Sequence, residues 1–359
     1  MEGKVIQFPK YRSEAAMLLS VFALLGCMEN QPTNLVENNG RPDSTADLSQ
    51  RKIFDNANRR VVPVSATPNG LAKASGLYGT RTDWSGTVEM VTWECSGSGN
   101  IVDVSCSVDP QYVLVGGGAW ADYGSGAGAL LTSSYPYDGN LTTWRAESKD
   151  HYRACYHTLH TYAIGMRLKD ANGNYLSRAT IFNSMVRVAA TSTSSTNARY
   201  DVHLPNYPNA SDYRVVGGGA RANWTTQGQL LYRSAPIDQG WYGESHDLVR
   251  REATTITVYV IGLKPTIPGY SGYLHIQWDD LFSAAVSTAA NSKGTTYLGW
   301  SGNFSCFGGS SYGDGSSFRF LTRMSPYADP QGGIVQDKDH VNAATGVLRP
   351  SYVLVEKTH

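Results

Sequence analysis

The polar residues best suited to chemistry recur along this chain in one arrangement. Glu147, Asp150 and His151 follow Trp144, and Glu244, His246 and Asp247 follow Trp241. A third group, Asp337, Asp339 and His340, has Ile334 near the tryptophan position instead. Carboxylates beside an imidazole can hydrogen-bond hydroxyls, and a tryptophan offers a face to a sugar ring, which together make the usual content of a small-ligand site. Recurrence weighs against a catalytic centre, because a reaction needs one assembled site while a binder gains from several. Linked weak sites multiply apparent affinity by roughly 10²–10⁴ when they engage together. The competing reading is structural: Asp and His close strand ends on turn amides, and the tryptophans belong to the core.

Other constellations carry less. Asp170, Asn172 and Asn174 place oxygen ligands at alternate positions, as calcium loops do, but the later bidentate Glu is missing. Asn172-Gly173 between extended runs also reads as a hairpin turn, the preferred reading, so calcium is the single cofactor the sequence offers and none is assigned. Cys155 and His157 would share one face of a strand, yet no Cys-x-x-Cys spacing accompanies them and no metal site is assigned. His157 and His160, three apart on a strand, face opposite sides. Gly97-Ser98-Gly99 reads as hairpin composition, and no nucleophile elbow is assigned. A glycoside hydrolase using two carboxylates stays open as a third function, since separation in space is invisible at this level.

These clusters sit inside a repeat that must position them. Val113-Leu114-Val115-Gly116-Gly117-Gly118-Ala119 returns as Val215-Val216-Gly217-Gly218-Gly219-Ala220 and, more worn, as Cys306-Phe307-Gly308-Gly309. Each is followed by a hydrophobic pair, then by a Ser-containing turn at Pro136, Pro236 and Pro326, and each repeat closes on a strand such as Tyr259-Val260-Ile261-Gly262. The period is roughly 95 residues, one supersecondary unit. Three glycines in a strand are costly and persist where a bulge is needed or another backbone comes close. A phosphate-cradling loop would need a helix to open after them, and Ala119-Trp120-Ala121-Asp122 does not make one.

Six or seven short strands per repeat, separated by turn signals, suit a small sandwich. The expected fold is all-β, with three tandem antiparallel β-sandwich-like repeats over residues 85–183, 184–281 and 282–359. The alternative is a closed pseudo-threefold ring or propeller. In that case residues 61–64 supply a strand missing from repeat three, which otherwise lacks the extra segment seen at 175–182 and 272–278. The opening strands are placed at 185–190 and 282–288 in the second and third repeats.

Composition agrees with an extracellular β protein. Among 359 residues, 17% are charged and Lys plus Arg equals Asp plus Glu at 30 each, so there is no electrostatic footprint for nucleic acid. The 37 glycines, 22 tyrosines and 8 tryptophans suit short strands, tight turns and exposed rings. Lys4, Lys10 and Arg12 precede an apolar run of about eleven residues, far short of the roughly 20 that cross a bilayer, which reads as a signal-peptide core. Residues 29–50 are almost devoid of apolar side chains and read as a disordered tether within 27–84. Setting Cys27 aside leaves four cysteines for an oxidising compartment. Cys95 with Cys106 across a hairpin is the first choice, which leaves Cys155 to pair with Cys306.

Leu24-Leu25-Gly26-Cys27 resembles the lipobox of bacterial lipoproteins. The resemblance implies cleavage after residue 26, acylation of Cys27 and membrane attachment through it, each buried methylene contributing about 0.8 kcal/mol. Met28 in place of an acidic residue points to the outer membrane. The repeat itself resembles one found in uncharacterised secreted bacterial proteins, which brings no activity with it. Three functions follow as expectations: a lipid-anchored envelope protein binding glycan or another extracellular polymer at several sites, an assembly lipoprotein binding a protein partner, and the hydrolase above.

Overall fold

The computed structural model describes residues 76–359 except 125–127, 151–152, 210, 226–228, 248–251, 281–284, 300–301, 314–317, 328–331 and 340–342. Cys27, the tether and residues 61–64 lie outside the described residues. The fold is all-β and antiparallel. In each repeat an opening strand pairs the closing strand, which pairs the glycine-bearing strand. In the first these are β2 (Val88–Gly99), β7 (His157–Leu168) and β4 (Val113–Asp122), and in the second β8 (Met185–Thr191), β13 (Ile256–Leu263) and β10 (Arg214–Ala222). In the third they are β14 (Leu274–Asp280), β20 (Gly346–Lys357) and β17 (Phe304–Gly313).

The remaining strands form a second trio per repeat. These are β3 (Ile101–Ser107), β6 (Thr143–Lys149) and β5 (Leu130–Pro136), then β9 (Asn197–His203), β12 (Gly240–His246) and β11 (Leu230–Ile237). The third set is β16 (Lys293–Gly299), β19 (Gly332–Asp339) and β18 (Arg319–Pro326). Two short pieces complete the sheets: β1 (Gly76–Thr82) edges β2, and β15 (Val286–Thr288) prolongs the pairing along β20.

The trios join across repeats. β4 pairs β18, β10 pairs β5 and β17 pairs β11, so each sheet takes half its strands from one repeat and half from another. The links run from one to three, two to one and three to two, and the set closes on itself. All three seams share one register: Ala119 and Trp120 face Met324 and Arg323, Ala220 and Arg221 face Ser134 and Ser133, and Gly309 and Ser310 face Ser234 and Arg233. The expectation of sandwiches each complete within one stretch of chain differs from this pairing, because hydrogen-bonding partners between repeats leave no trace in residue types.

The glycines explain the closure. A register shift falls at the same place in each glycine-bearing strand, at Leu114/Gly116, Val215/Gly217 and Phe304/Cys306. A Cβ on Gly116 would overlap the Ser305 carbonyl and one on Gly217 the Val115 carbonyl, so the three strands meet backbone to backbone. Cys306 occupies the third equivalent position, fully buried, its Sγ 3.8 Å from the Gly117 carbonyl oxygen and 3.6 Å from that of Gly218. There is room for one small side chain there, and Cys306 fills it.

Cys95 and Cys106 form a disulfide across the β2–β3 hairpin, with Cα atoms 5.3 Å apart. The expected Cys155–Cys306 bridge is corrected: both are free and buried. Cys306 is held where the glycine strands converge, whereas Cys155 lies in the loop before β7, its N–H bound to Asp150.

The segment 272–278, expected as an appendage of repeat two, contains β14, which pairs the closing strand of repeat three along its whole length. The segment 175–182 holds a turn and a short helix, α1 (Arg178–Phe182), capped by Ser177. The two ends of the described chain are also tied. Asp83 accepts the Lys357 N–H at 2.9 Å, Trp84 donates to the Lys357 carbonyl at 2.9 Å, and its ring stacks on His359 at 4.4 Å. No helix among the described residues is long and apolar enough to cross a membrane.

Candidate functional site

Trp144 and Trp241 are core residues, 1% and 0% exposed. Each indole N–H donates to a serine on the neighbouring strand, Ser134 or Ser234, at 3.0 Å. Each ring lies over a glycine, Gly117 or Gly218, where a Cβ would overlap it. The expectation that they stack on a sugar is thereby corrected: the free face that stacking requires is covered by the glycine strand. Register places Gly333 at the corresponding position of repeat three, opposite Pro326 as Trp144 is opposite Pro136.

The acidic residues after them brace loops. Asp150, Asp247 and Asp339 each accept the backbone N–H five residues on, from Cys155 at 3.2 Å, Glu252 at 3.0 Å and Ala344 at 3.3 Å. One strand position earlier but one, a buried polar joint takes three forms. Ser148 bonds His157 Nε2 at 2.7 Å, Ser245 donates to Gln229 at 2.6 Å, and Asp337 takes the guanidinium of Arg319 through Nε at 3.1 Å and Nη2 at 2.9 Å. His157 donates its Nδ1–H to the Cys155 carbonyl at 2.9 Å, which turns its Nε2 lone pair to the Ser148 hydroxyl. His246 is held low by burial and packs on Phe318 at 4.2 Å. His151 and His340 lie outside the described residues. Glu244 accepts from Tyr242 at 3.0 Å. The sequence-selected residues therefore recur because the fold recurs, and they do not converge on one pocket.

Asp170 also serves its own turn. Its carboxylate accepts the N–H groups of Asn172 and Asn174, both at 2.8 Å, and these hold its pKa low. Gly173 takes φ +82°, the left-handed turn conformation. No group of three or more His, Cys, Asp or Glu that could hold a metal occurs among the described residues.

Sequence periodicity missed the rows that cross the three seams. The first reads His160, Trp120, Arg323, Gln336 and Thr295 from β7 to β16. The second reads Thr257, Arg221, Ser133, Glu147 and Asp103 from β13 to β3. The third reads Arg349, Ser310, Arg233, Glu244 and Arg199 from β20 to β9. In each seam one of the two facing pairs holds an arginine, and each of those guanidiniums lies against an aromatic ring: Arg323 over Trp120 at 4.2 Å, Arg221 near Tyr135 at 5.9 Å and Arg233 over Tyr242 at 4.5 Å. A guanidinium lying on a ring can still use its in-plane N–H groups, though Arg323 is only 8% exposed and already spends its Nε on the Ser325 hydroxyl at 2.7 Å.

Around each seam the supporting groups differ. Trp120 stacks on His160 at 4.9 Å, and His160 bonds Glu94. Tyr135 stacks on Tyr259 at 4.9 Å, with Arg187 over Tyr259 at 4.8 Å. Beside Ser133, Glu147 is pushed up to about 7 by burial, with the Asp103 carboxylate adding to the shift. Lys149 is pulled down to about 8 by its own burial, and its Nζ lies 3.9 Å over the Trp224 ring of repeat two. A carboxyl and an amine that titrate near neutrality thus border the second seam. Neither protein-family models nor curated proteins give a match to this chain.

Proposed function

We propose that this protein is a lipid-anchored component of the bacterial cell envelope that holds an acidic extracellular glycan along its three seams in parallel. The observation that carries the reading is the single arginine beside a ring in each seam, at one register, three times over. Arginine's planar fork matches a carboxylate with two parallel hydrogen bonds. Three equivalent platforms suit a repeating ligand better than a reacting one, so the activity is binding and not turnover. The lipobox-like Leu24 to Cys27 supports the anchor, and outer-membrane sorting follows from Met28.

Retention of the full chain, solubilised in detergent, on immobilised alginate and on immobilised neutral dextran tests this. The reading expects retention on alginate that weakens as Arg221, Arg233 and Arg323 are changed to alanine one after another. A stoichiometric protein partner recovered from envelopes, indifferent to those changes, would favour an assembly role instead.

A further inference from the structure

We infer that a cleft between repeats two and three binds one neutral, hydroxyl-rich ring of pyranose size. It encloses about 340 Å³ between Tyr213 and Arg214 at the start of β10, Asp238 and Gln239 in the β11–β12 turn, and Gln277 and Trp278 on β14. That volume falls at the lower end of ligand pockets, roughly 300–1,000 Å³, which suits a single ring. None of these residues belongs to the seam rows.

The functional groups facing the cleft are unspent. Among the described residues the Asp238 carboxylate makes no hydrogen bond or ion pair, and the Trp278 indole N–H has no acceptor. Gln239 uses its oxygen on the Ser211 N–H at 3.2 Å, which leaves its amide NH₂ to donate, whereas the Gln277 side chain bonds His275 at 3.2 Å on the other face of β14. An acceptor, two donors and a half-buried indole match a ligand whose hydroxyls both give and receive protons and whose C–H face is apolar. Arg214 balances the charge of Asp238 at the rim, and its Nη1 already occupies the Tyr213 carbonyl at 3.0 Å. A cationic ligand would meet that guanidinium and find the backbone acceptor taken.

The junction of repeats one and two shows what this place looks like when the chain fills it. Arg187 stands opposite Ile261 as Trp278 stands opposite Val353, and its Nη2 donates to the Pro136 carbonyl at 3.1 Å. From α1, Arg178 donates through Nε to the Tyr112 carbonyl at 3.0 Å and through Nη2 to the Asn140 and Leu141 carbonyls. The connection 264–273 that leads into β14 carries no helix, and the β11–β12 turn is only Asp238 and Gln239, so no such plug reaches the second cleft. The fold builds the same recess twice and leaves one empty of its own side chains.

The inference takes its ligand class from the proposed function but rests on different residues. The full chain in detergent is titrated with methyl α-D-glucopyranoside, methyl β-D-galactopyranoside and N-acetylglucosamine by saturation-transfer NMR, with L-arginine methyl ester and cyclohexanol alongside. Saturable binding of at least one sugar is expected, with affinity on the order of millimolar. Asp238→Asn and Trp278→Phe, both conservative, are each expected to weaken it about tenfold, while Arg178→Ala leaves it unchanged. No saturable sugar, sugar binding untouched by Asp238→Asn, or equal response to the arginine ester or cyclohexanol would overturn the inference. Changing all three seam arginines should abolish alginate retention and spare the sugar signal, so the two readings fail separately.

Discussion

Phe307 on β17 fills the space above Gly333 on β19, so closely that a Cβ on Gly333 would overlap the phenyl ring. In the other two repeats the large residue is on the opposite strand, Trp144 over Gly117 and Trp241 over Gly218. One pocket of core is filled from either side, and the partner is glycine each time. Gly333→Trp alone should destabilise the protein by more than about 3 kcal/mol, because two rings then claim one volume. Adding Phe307→Gly should recover most of that loss. Thermal denaturation of the two variants measures it, and a double variant no better than the single one would show that the sites do not share a space.

The buried joint beside β12 and β19 makes a similar exchange. Arg319 and Asp337 are both fully buried, and the five guanidinium N–H groups reach Asp337 and the carbonyls of Ala289, Ser292 and Ala344. Asp337→Ser leaves an uncompensated buried cation and is expected to cost about 3–5 kcal/mol. Arg319→Gln together with Asp337→Ser reproduces the Gln229–Ser245 joint of repeat two and should lose far less. Urea midpoints for the single and double variants distinguish the two cases.

The cysteines give a chemical check. Alkylation of the unreduced, denatured chain should label Cys155 and Cys306 and leave Cys95 and Cys106 unlabelled, as peptide mass mapping would report. Removing the Cys95–Cys106 bridge should cost about 2–3 kcal/mol, the loop entropy released by a short closed loop. A chain with Cys155 and Cys306 protected from label would contradict the core arrangement around Cys306.

Stability should depend on pH through Glu147. Its folded pKa, about 7, lies above the ordinary 4.5, so the folded state binds the extra proton. The contribution is fully present below about pH 4.5 and is lost as pH rises through 7. Glu147→Gln should therefore match the parent at pH 4 and exceed its stability above pH 7 by about 1–3 kcal/mol. A difference that grows towards low pH would reverse the assignment.

Much of the fold was legible because local rules act within a strand. The glycine triplets announced a close backbone approach, the β-branched run at 254–261 announced a strand, and two cysteines flanking a turn announced a disulfide. Pairing between repeats was hidden, since β4 meeting β18 depends on closure of the whole chain. The phase of the repeat was hidden too: residues 272–278 have the pattern of a strand, but nothing in them says which closing strand they join. Trp144 and Trp241 were read in both ways, and the choice turned on whether a glycine strand lay above them. The seam arginines escaped notice for a simpler reason. Arg233 and Arg323 come from one strand of the seam and Arg221 from the other, so they share a place in space without sharing one in the repeat.

The proposed function stands on those three arginines acting in parallel. Surface plasmon resonance of the full chain over immobilised alginate, comparing the parent with Arg221→Ala, Arg233→Ala, Arg323→Ala and the triple variant, measures this directly. The account predicts stepwise loss with each single change, a collapse of roughly 10²-fold or more in apparent affinity for the triple variant, and steep weakening with salt. A triple variant that folds and binds alginate as the parent does would contradict it.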